Sequence, residues 1–252
     1  MDRTEFVDRL DERLRTDDYA DLDASANGLQ VGRAVGEVDR AALAVDAADA
    51  TIREAVDRDA DVLVVHHGLA WGGFDRLTGL DYDRIEPLVA NDVALYVSHL
   101  PLDGHQELGN AAGVADVLDL NDREPFGTLG PEYVGMRGRT ADHYTVDDLS
   151  GLLDRELDTE TRALDFGPER IETIGIVTGS GVDWIGEADD RGLDALVTGE
   201  GKQKAYHEAR DRGINVFLAG HYATETFGVR ALGELIEGWG VETTYVDHPT
   251  GL

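Results

Sequence analysis

Asp61-Val-Leu-Val-Val-His-His-Gly68 is the stretch of sequence that decides the fold. Its apolar run, residues 62–65, is rich in β-branched side chains, which predicts a fully buried strand of a parallel sheet. Ligand groups in open α/β sheets gather at the carboxyl ends of such strands, where His66 and His67 lie. Neighbouring strand residues point to opposite faces, so the pair suits two close metal ions better than one. The alternative is a structural pair of hydrogen-bonded histidines at a sheet edge.

The length and composition of the chain limit the classes of protein to which it can belong. With 252 residues the chain can form one large α/β domain or two small lobes. It has no secretory leader pattern and no apolar run near the ~20 residues that a membrane helix needs, which predicts a cytoplasmic protein without membrane association. Because the chain contains no cysteine, any metal must be held by His, Asp and Glu.

The charge balance is strongly acidic. The chain has 52 acidic and 22 basic residues, a net charge of −30, and only two lysines, Lys202 and Lys204. The acids are spread along the chain rather than gathered in a tail, which predicts a halophilic protein adapted to concentrated cytoplasmic salt. The absence of a basic stripe disfavours nucleic acid as a partner.

Alternating strand and helix patterns predict a doubly wound α/β architecture. We expect a first lobe in residues 1–122, and a connecting segment followed by a second lobe in residues 123–252. Residues 122–139 are rich in Gly and Pro, and within them Phe126-Gly-Thr-Leu-Gly130 is interpreted as the connection. The predicted strands share short apolar runs and cover residues 41–45, 62–65, 93–97, 174–177, 195–197, 216–218 and 243–246.

The second half of the sequence repeats the first. Residues 54–68 can be laid over residues 187–201 with Glu, Ala, Asp, Arg, Leu, Val and the final Gly in common, and His67 then falls opposite Glu200. The repeat predicts two pseudo-symmetric lobes with mainly parallel sheets, around a shared cleft that holds a dinuclear metal centre. Chance similarity between two strand–helix units is the alternative.

Each half also carries a histidine and, four residues later, a carboxylate, directly after a strand. In the first half these are His99 and Asp103, and in the second His221 and Glu225. Either acid could simply begin a helix. Imidazoles and carboxylates together suit Zn, Mn, Fe, Co or Ni, and a carboxylate commonly bridges a close metal pair. The candidate ligands of two divalent ions are therefore His66, His67, Asp103, His221 and Glu225.

At these residues the sequence resembles the Nif-three-like dinuclear-metal family, the type 2 homologues of GTP cyclohydrolase I. The matching motifs span nearly the whole chain: Asn27-Gly-Leu-Gln-Val-Gly32, Ala60-Asp-Val-Leu-Val-Val-His-His67, Tyr96-Val-Ser-His99 with Asp103, Gly199-Glu200, and Gly220-His-Tyr-Ala-Thr-Glu225. The resemblance implies a two-lobed α/β fold and often a ring-shaped hexamer. It also implies two ligand sets, namely His67, Asp103 and Glu225 for one metal, and His66, His221 and Glu225 for the other. The chain departs from the family at Gly68-Leu-Ala-Trp-Gly-Gly73, after the histidine pair.

The function predicted from these features is a metal-dependent hydrolase. The family resemblance implies opening of the imidazole ring of GTP by attack at C8, with a nucleotide as the small-molecule substrate. Alternatives are a metal-dependent phosphoesterase or nucleotide hydrolase, and a non-catalytic ring-shaped scaffold or regulatory protein. The repeat places His99 and Glu200 near the metals, as candidates for proton transfer, against a structural role. Gly179-Ser-Gly181 predicts a turn, or alternatively an approach to phosphate.

Overall fold

A computed structural model describes residues 1–252, and two β-sheets organise it. The first sheet has the strand order β1-β4-β3-β2-β11. Its strands, numbered in chain order, are β1 (Gly28–Val31), β2 (Arg40–Asp46), β3 (Val62–His67), β4 (Ala94–Val97) and β11 (Glu242–Tyr245). The central strand is β3, whose Val62–Val65 segment is almost completely buried. A strand covered on both faces needs this continuous apolar run, so the predicted buried parallel strand is confirmed.

Register brings the ends of the parallel strands to one edge of the first sheet. Asp46 is paired with His67 across β2 and β3, and Val65 is paired with Val97 across β3 and β4. Since β2, β3 and β4 are parallel, their carboxyl ends carry polar side chains next to one another. The edge strand β1 is antiparallel to β4.

The second sheet has the order β5-β6-β8-β9-β10-β7. Its strands are β5 (Asn121–Leu129), β6 (Glu132–Tyr144), β7 (Arg162–Leu164), β8 (Ile171–Ile176), β9 (Ala195–Thr198) and β10 (Asn215–Leu218). Only the β8–β9 and β9–β10 pairings are parallel, whereas β5–β6, β6–β8 and β7–β10 are antiparallel. The expectation of mainly parallel sheets therefore holds for the first sheet and not for the second.

The segment interpreted as a connection, residues 126–130, forms the end of β5 and part of the turn of the long β5–β6 hairpin. Its Gly and Pro residues have local structural reasons. Gly130, with φ of 59°, lies in the turn between the strands. Pro125 lies in β5, the outermost strand of the sheet, where a missing N–H is tolerated. Composition suggested a linker, but glycine and proline are also the residues that make turns and protect sheet edges.

The helices lie between the strands along the chain. They are α1 (Arg3–Leu14), α2 (Asp49–Asp57), α3 (Leu80–Ala90), α4 (Leu100–Asp103), α5 (Asn110–Val117), α6 (Val146–Leu157), α7 (Ile185–Asp190), α8 (Gln203–Arg212), α9 (His221–Thr224) and α10 (Thr226–Glu237). None of them combines the length and the apolar composition that crossing a bilayer requires.

The internal repeat is visible in the topology of the two sheets. The order β1-β4-β3-β2 in the first corresponds to β7-β10-β9-β8 in the second, with the same strand directions. Each four-stranded repeat is extended at the same edge, beside β2 by β11 and beside β8 by the β5–β6 hairpin. The predicted α/β class with two related lobes is confirmed at this level.

The chain folds into two compact units. The first contains residues 1–102 and 228–248, and the second contains residues 103–227 and 249–252. This division differs from the predicted boundary between residues 122 and 123. The physical reason is that β11, near the end of the chain, pairs with β2 of the first sheet.

Candidate metal centre

His66 and His67 are the last two residues of β3, the central strand of the first unit, and each ring is held in place by a contact to its Nδ1 atom. His66 is fully buried, and its Nδ1 lies 2.9 Å from the backbone oxygen of Ser98. Nδ1 of His67 lies 2.9 Å from Oδ1 of Asp46. A carbonyl oxygen can only accept, so His66 donates from Nδ1 and carries its lone pair on Nε2. This is the tautomer in which a histidine binds a metal through Nε2.

His99 joins the two adjacent histidines at the same sheet edge. Its ring centre lies 5.1 Å from that of His66 and 5.6 Å from that of His67. One ring nitrogen from each of the three histidines lies within 4.8 Å of the other two. The first unit therefore brings three imidazoles close enough to take part in binding one or more cations. His99 comes from the loop after β4, next to the strand that carries His66 and His67.

A buried carboxylate, Asp23, orients His99. Nδ1 of His99 lies 2.9 Å from Oδ1 and 3.1 Å from Oδ2 of Asp23. The same carboxylate accepts hydrogen bonds from the backbone N–H groups of Ser25 and Leu100 and from the side chain of Asn27. Burial raises the pKa of the Asp23 carboxyl, but the hydrogen bonds led by that of His99 outweigh it, so the net pKa is lowered. Asp23 is thus held ionised as an acceptor.

In the second unit, His221 and Glu225 form a close pair. Nε2 of His221 lies 3.2 Å from Oε2 of Glu225, and Nδ1 lies 3.4 Å from Oε1 of Glu200. Glu225 occupies the break between α9 and α10, so the pair spans the junction of two helices. The hydrogen bond to Glu225, followed by the other effects of the two carboxylates, raises the pKa of His221 to about 9. A cation that binds His221 must displace this proton.

Glu225 is buried against a glycine turn. Its side chain is 3% exposed. A Cβ atom at Gly179 would overlap Oε1 of Glu225 and approach Nε2 of His221 to 3.1 Å, and Gly179 has a φ of 58°. The Gly179-Ser-Gly181 motif is therefore a turn that makes room for the predicted ligands. Ser180 adds a short hydrogen bond to Glu200, which is the largest cause of the lowered pKa of that carboxyl.

Asp103, the other predicted carboxylate ligand, is 7% exposed and is held by two side chains of its own unit. Its Oδ1 accepts a hydrogen bond of 2.9 Å from Nδ2 of Asn110 and one of 3.2 Å from the hydroxyl of Thr178. A carboxylate held at one oxygen presents its other oxygen in a fixed direction.

Three residues of the first unit were missed by sequence reasoning. Asp46 and Asp23 fix the histidines, and Trp71 packs beside them, with its ring centre 4.9 Å from that of His99. The sequence does contain a signal for Asp46, because this residue is the last of strand β2 and is paired with His67 at the end of β3. Asp23 and Trp71 lie in loops, and no local hydrophobic period in the sequence predicts that they contact residues at strand ends.

The donor set fits a divalent metal. Imidazole nitrogens and carboxylate oxygens suit the borderline transition metals. The rings of His66, His67 and His99 are each anchored through Nδ1, as metal-binding histidines usually are. Buried carboxylates such as Glu225 are costly without a compensating cation or hydrogen-bond donor. The protein therefore has His, Asp and Glu groups that can hold a metal ion.

Comparison with known proteins identifies similar chains over the full length. The sequence profile of the Duf34/NIF3 (NGG1p interacting factor 3) family matches residues 1–250. A relative from Halobacterium salinarum, named GTP cyclohydrolase 1 type 2 homolog, is 56% identical, and the alignment covers 100% of both chains.

Solved structures are similar over the same extent. A crystal structure of a Thermus thermophilus protein is 38% identical with a TM-score of 0.91, and the match covers 100% of both chains. A structure of protein ybgI, of unknown function, is 33% identical with a TM-score of 0.92, again over 100% of both chains.

Proposed function

The chain belongs to the Duf34/NIF3 family, and from this membership and the geometry of its histidines and carboxylates we propose a hydrolase that depends on a dinuclear metal centre. One observation carries the proposal. His66 and His67 are adjacent at the end of one buried strand, and each is bound at Nδ1 by an acceptor. Anchoring of this kind presets Nε2 for metal binding.

The buried carboxylates support the same proposal. In a chain with net charge −30, Asp103 and Glu225 are 7% and 3% exposed, respectively. Burial of an ionised acid is unfavourable unless positive charge or strong donors compensate. Divalent cations would supply that charge. In their absence the protonated imidazole of His221, whose pKa is raised, supplies part of it.

We assign the ligands as the family resemblance implies. His67, Asp103 and Glu225 would hold one ion, and His66, His221 and Glu225 the other. Two close divalent cations, when bound, activate water and polarise the bond under attack. Zn, Mn, Fe, Co and Ni all suit this mixture of nitrogen and oxygen ligands.

The proposed substrate is GTP, following the name of the relatives. Water would add to C8, a C8–N bond of the imidazole ring would break, and its nitrogen would take up a proton to leave a formamide. A second hydrolysis would release formate. Glu200 and His99 are the groups of this chain proposed to move protons, since Glu200 is half-exposed and ionised and His99 has its Nδ1 committed to Asp23.

Purified protein tests the proposal directly. The metal-stripped chain would be reloaded with Zn²⁺ or Mn²⁺ in molar KCl and incubated with GTP and a panel of phosphoesters. We expect formate release from GTP that depends on the added metal and is lost in Glu225→Gln. His207→Gln, on the exposed face of α8, is the matched control and should keep full activity.

The other readings of the sequence are separated by the same assay. Orthophosphate release without formate release would indicate a phosphoesterase rather than a cyclohydrolase. Metal binding without turnover across all metals and substrates would contradict the hydrolase and favour a metal-binding scaffold or regulatory role.

We further propose that the protein works in a salt-rich cytoplasm as a homo-oligomer, and specifically as a hexamer. The net charge of −30 supports the first part. Support for assembly comes from exposed apolar side chains at and beside α3, where Leu80, Tyr82 and Val89 are 59%, 52% and 64% exposed. Light scattering in molar KCl measures the subunit number, and Val89→Lys should lower it if this surface is the interface.

A further inference from the structure

Trp71 is a half-exposed aromatic residue beside the histidine cluster of the first unit. Its indole is 47% exposed, although a large aromatic ring gains most when it is buried. The ring centre lies 4.9 Å from that of His99, with nearly perpendicular planes, and 6.1 Å from that of His67. This partly exposed ring is therefore next to the histidines of the proposed chemistry.

The polar end of the indole is already used. Nε1 of Trp71 donates a hydrogen bond of 3.1 Å to the backbone oxygen of Gly68, three residues earlier. This bond fixes the orientation of the ring. What Trp71 presents to solvent is consequently its apolar ring surface rather than its N–H group.

Hydrogen bonds hold the backbone before and after Trp71 in place. The N–H of Gly72 donates to the oxygen of Ala24, and the N–H of Ala26 donates to the oxygen of Ala70. Oε1 of Gln30 accepts from the N–H groups of Leu69 and Ala70 at 2.6 and 2.9 Å. The ring is thus presented by a fixed segment, so little conformational entropy would be lost when a ligand packs on it.

The backbone that follows Trp71 is uncrowded. A Cβ atom at Gly72 or Gly73 would meet no atom within 4 Å. Both residues have positive φ, 74° and 98°, which is a backbone conformation that favours glycine.

We propose that Trp71 is a stacking platform for the planar heterocyclic ring of the substrate, and that it selects ring-containing ligands for the neighbouring histidine cluster. This inference rests on the proposed function, because it specifies what that site binds. The net charge of −30 supports it, since an anionic phosphate tail gains little attraction from this protein. Stacking does not depend on ligand charge, so it persists in concentrated salt where ionic contacts are screened.

A protein with a single tryptophan makes the platform observable. The chain has three tryptophans, so the double variant Trp184→Phe, Trp239→Phe leaves only Trp71. Guanosine, which has the ring without phosphates, should quench its fluorescence with the same saturation behaviour in dilute and concentrated KCl. Inorganic tripolyphosphate, which has no ring, should leave the fluorescence unchanged.

Substitution of the platform tests its contribution. By equilibrium dialysis of guanosine, Trp71→Ala should bind about 10- to 100-fold more weakly than the wild type, and Trp71→Phe only a few-fold more weakly. The metal content of both variants should equal that of the wild type. Trp239→Phe, whose indole packs against Phe6, is the matched control and should bind guanosine normally.

Two results would overturn the platform. One is guanosine binding to Trp71→Ala with wild-type affinity, and the other is failure of guanosine to bind the wild type. Because binding is measured without turnover, the outcomes are separable from the proposed function. Quenching by guanosine without any hydrolysis would contradict the proposed hydrolase and support the stacking role of Trp71. GTP turnover with an unchanged KM in Trp71→Ala would support the hydrolase and contradict the stacking role.

Discussion

Asp23 and His99 form a carboxylate–imidazole pair across 76 residues of sequence, with both carboxylate oxygens within 3.1 Å of Nδ1 and the carboxylate side chain 2% exposed. An acceptor at Nδ1 keeps the lone pair of His99 on Nε2. This relationship decides what His99 can do, because only Nε2 is then able to accept a proton or a cation.

Asp23→Asn tests that relationship with almost no change in size. The amide can turn its NH₂ group toward Nδ1, which favours the other tautomer of His99. We expect ¹⁵N NMR to show loss of the Nδ1–H form in the zinc-loaded protein, and turnover to fall by about 10- to 100-fold. The exposed Asp21→Asn is the matched control. An unchanged tautomer would show that His99 is set by its other neighbours.

Gly179→Ala should disturb the second unit through a single methyl group. The new Cβ would overlap the Glu225 carboxylate, and the φ of 58° adds about 1 kcal/mol of backbone strain. We expect weaker metal binding and a lower midpoint of thermal unfolding. Gly151→Ala, in the exposed part of α6 with no atom within 4 Å of its Cβ, should instead stabilise the protein by about 0.5–1 kcal/mol. Equal effects of the two substitutions would contradict this account of Gly179.

The parts of the molecule that sequence predicted well are those specified locally. The β3 strand is a continuous apolar run, and the position of His66 and His67 follows directly from the end of that run. The correspondence of β2-β3-β4 with β8-β9-β10 was also readable, because each repeat carries its own apolar periods and the same histidine–carboxylate spacing.

The parts that were missed depend on contacts between distant residues. Asp23 reaches His99 from a loop that has no period, so nothing local identifies it. Residues 126–130 of the β5–β6 hairpin have the pattern of a connection, because Gly and Pro give the same composition signal in a turn, an edge strand and a connection. The orientation of Trp71 depends on one hydrogen bond to the carbonyl of Gly68, which a sequence pattern does not contain.

Glu225 is predicted to bridge the two metals. It is the longer of the two acids assigned as ligands, and its two oxygens can serve two ions, whereas an imidazole offers one nitrogen to one ion. Glu225→Ala should therefore lower the affinity for both ions together, and Asp103→Ala should weaken mainly one. Metal analysis with calorimetric titration measures this, with exposed Glu234→Ala on α10 as the control. Loss of one ion only in Glu225→Ala would assign the bridge to another group.

The hydrogen-bonded pair of half-buried Asp11 and buried Tyr96 predicts a pH-dependent contribution to stability. The phenol of Tyr96 donates a 2.8 Å hydrogen bond to Oδ1 of Asp11. Burial raises the pKa of the Asp11 carboxyl from 3.8, against the lowering effect of that hydrogen bond. A raised folded-state pKa means that protonated Asp11 stabilises the fold below about pH 3.8, and that this contribution is lost as pH rises through the folded pKa.

Asp11→Asn removes this titration and keeps an acceptor for Tyr96. The variant should match the wild type near pH 3.5 and exceed its midpoint of thermal unfolding by about 1–3 °C at pH 7. Calorimetry across this range measures the difference, with exposed Glu12→Gln on the same helix as the control. A difference that shrinks as pH rises would reverse the sign and refute the interpretation.

The net charge of −30 predicts that salt stabilises the protein by screening. The distance over which carboxylates repel grows from about 3 Å in 1 M salt to about 30 Å in 0.01 M salt, so repulsion within the fold and between subunits rises steeply on dilution. Circular dichroism and light scattering across a KCl titration should show a falling unfolding midpoint and dissociation at low salt. Glycine betaine at matched osmolality is the control, because it carries no net charge and does not screen. If betaine protected the protein as well as KCl, preferential exclusion of the solute rather than charge screening would be the cause, and an unchanged fold and assembly in dilute buffer would contradict any adaptation to salt.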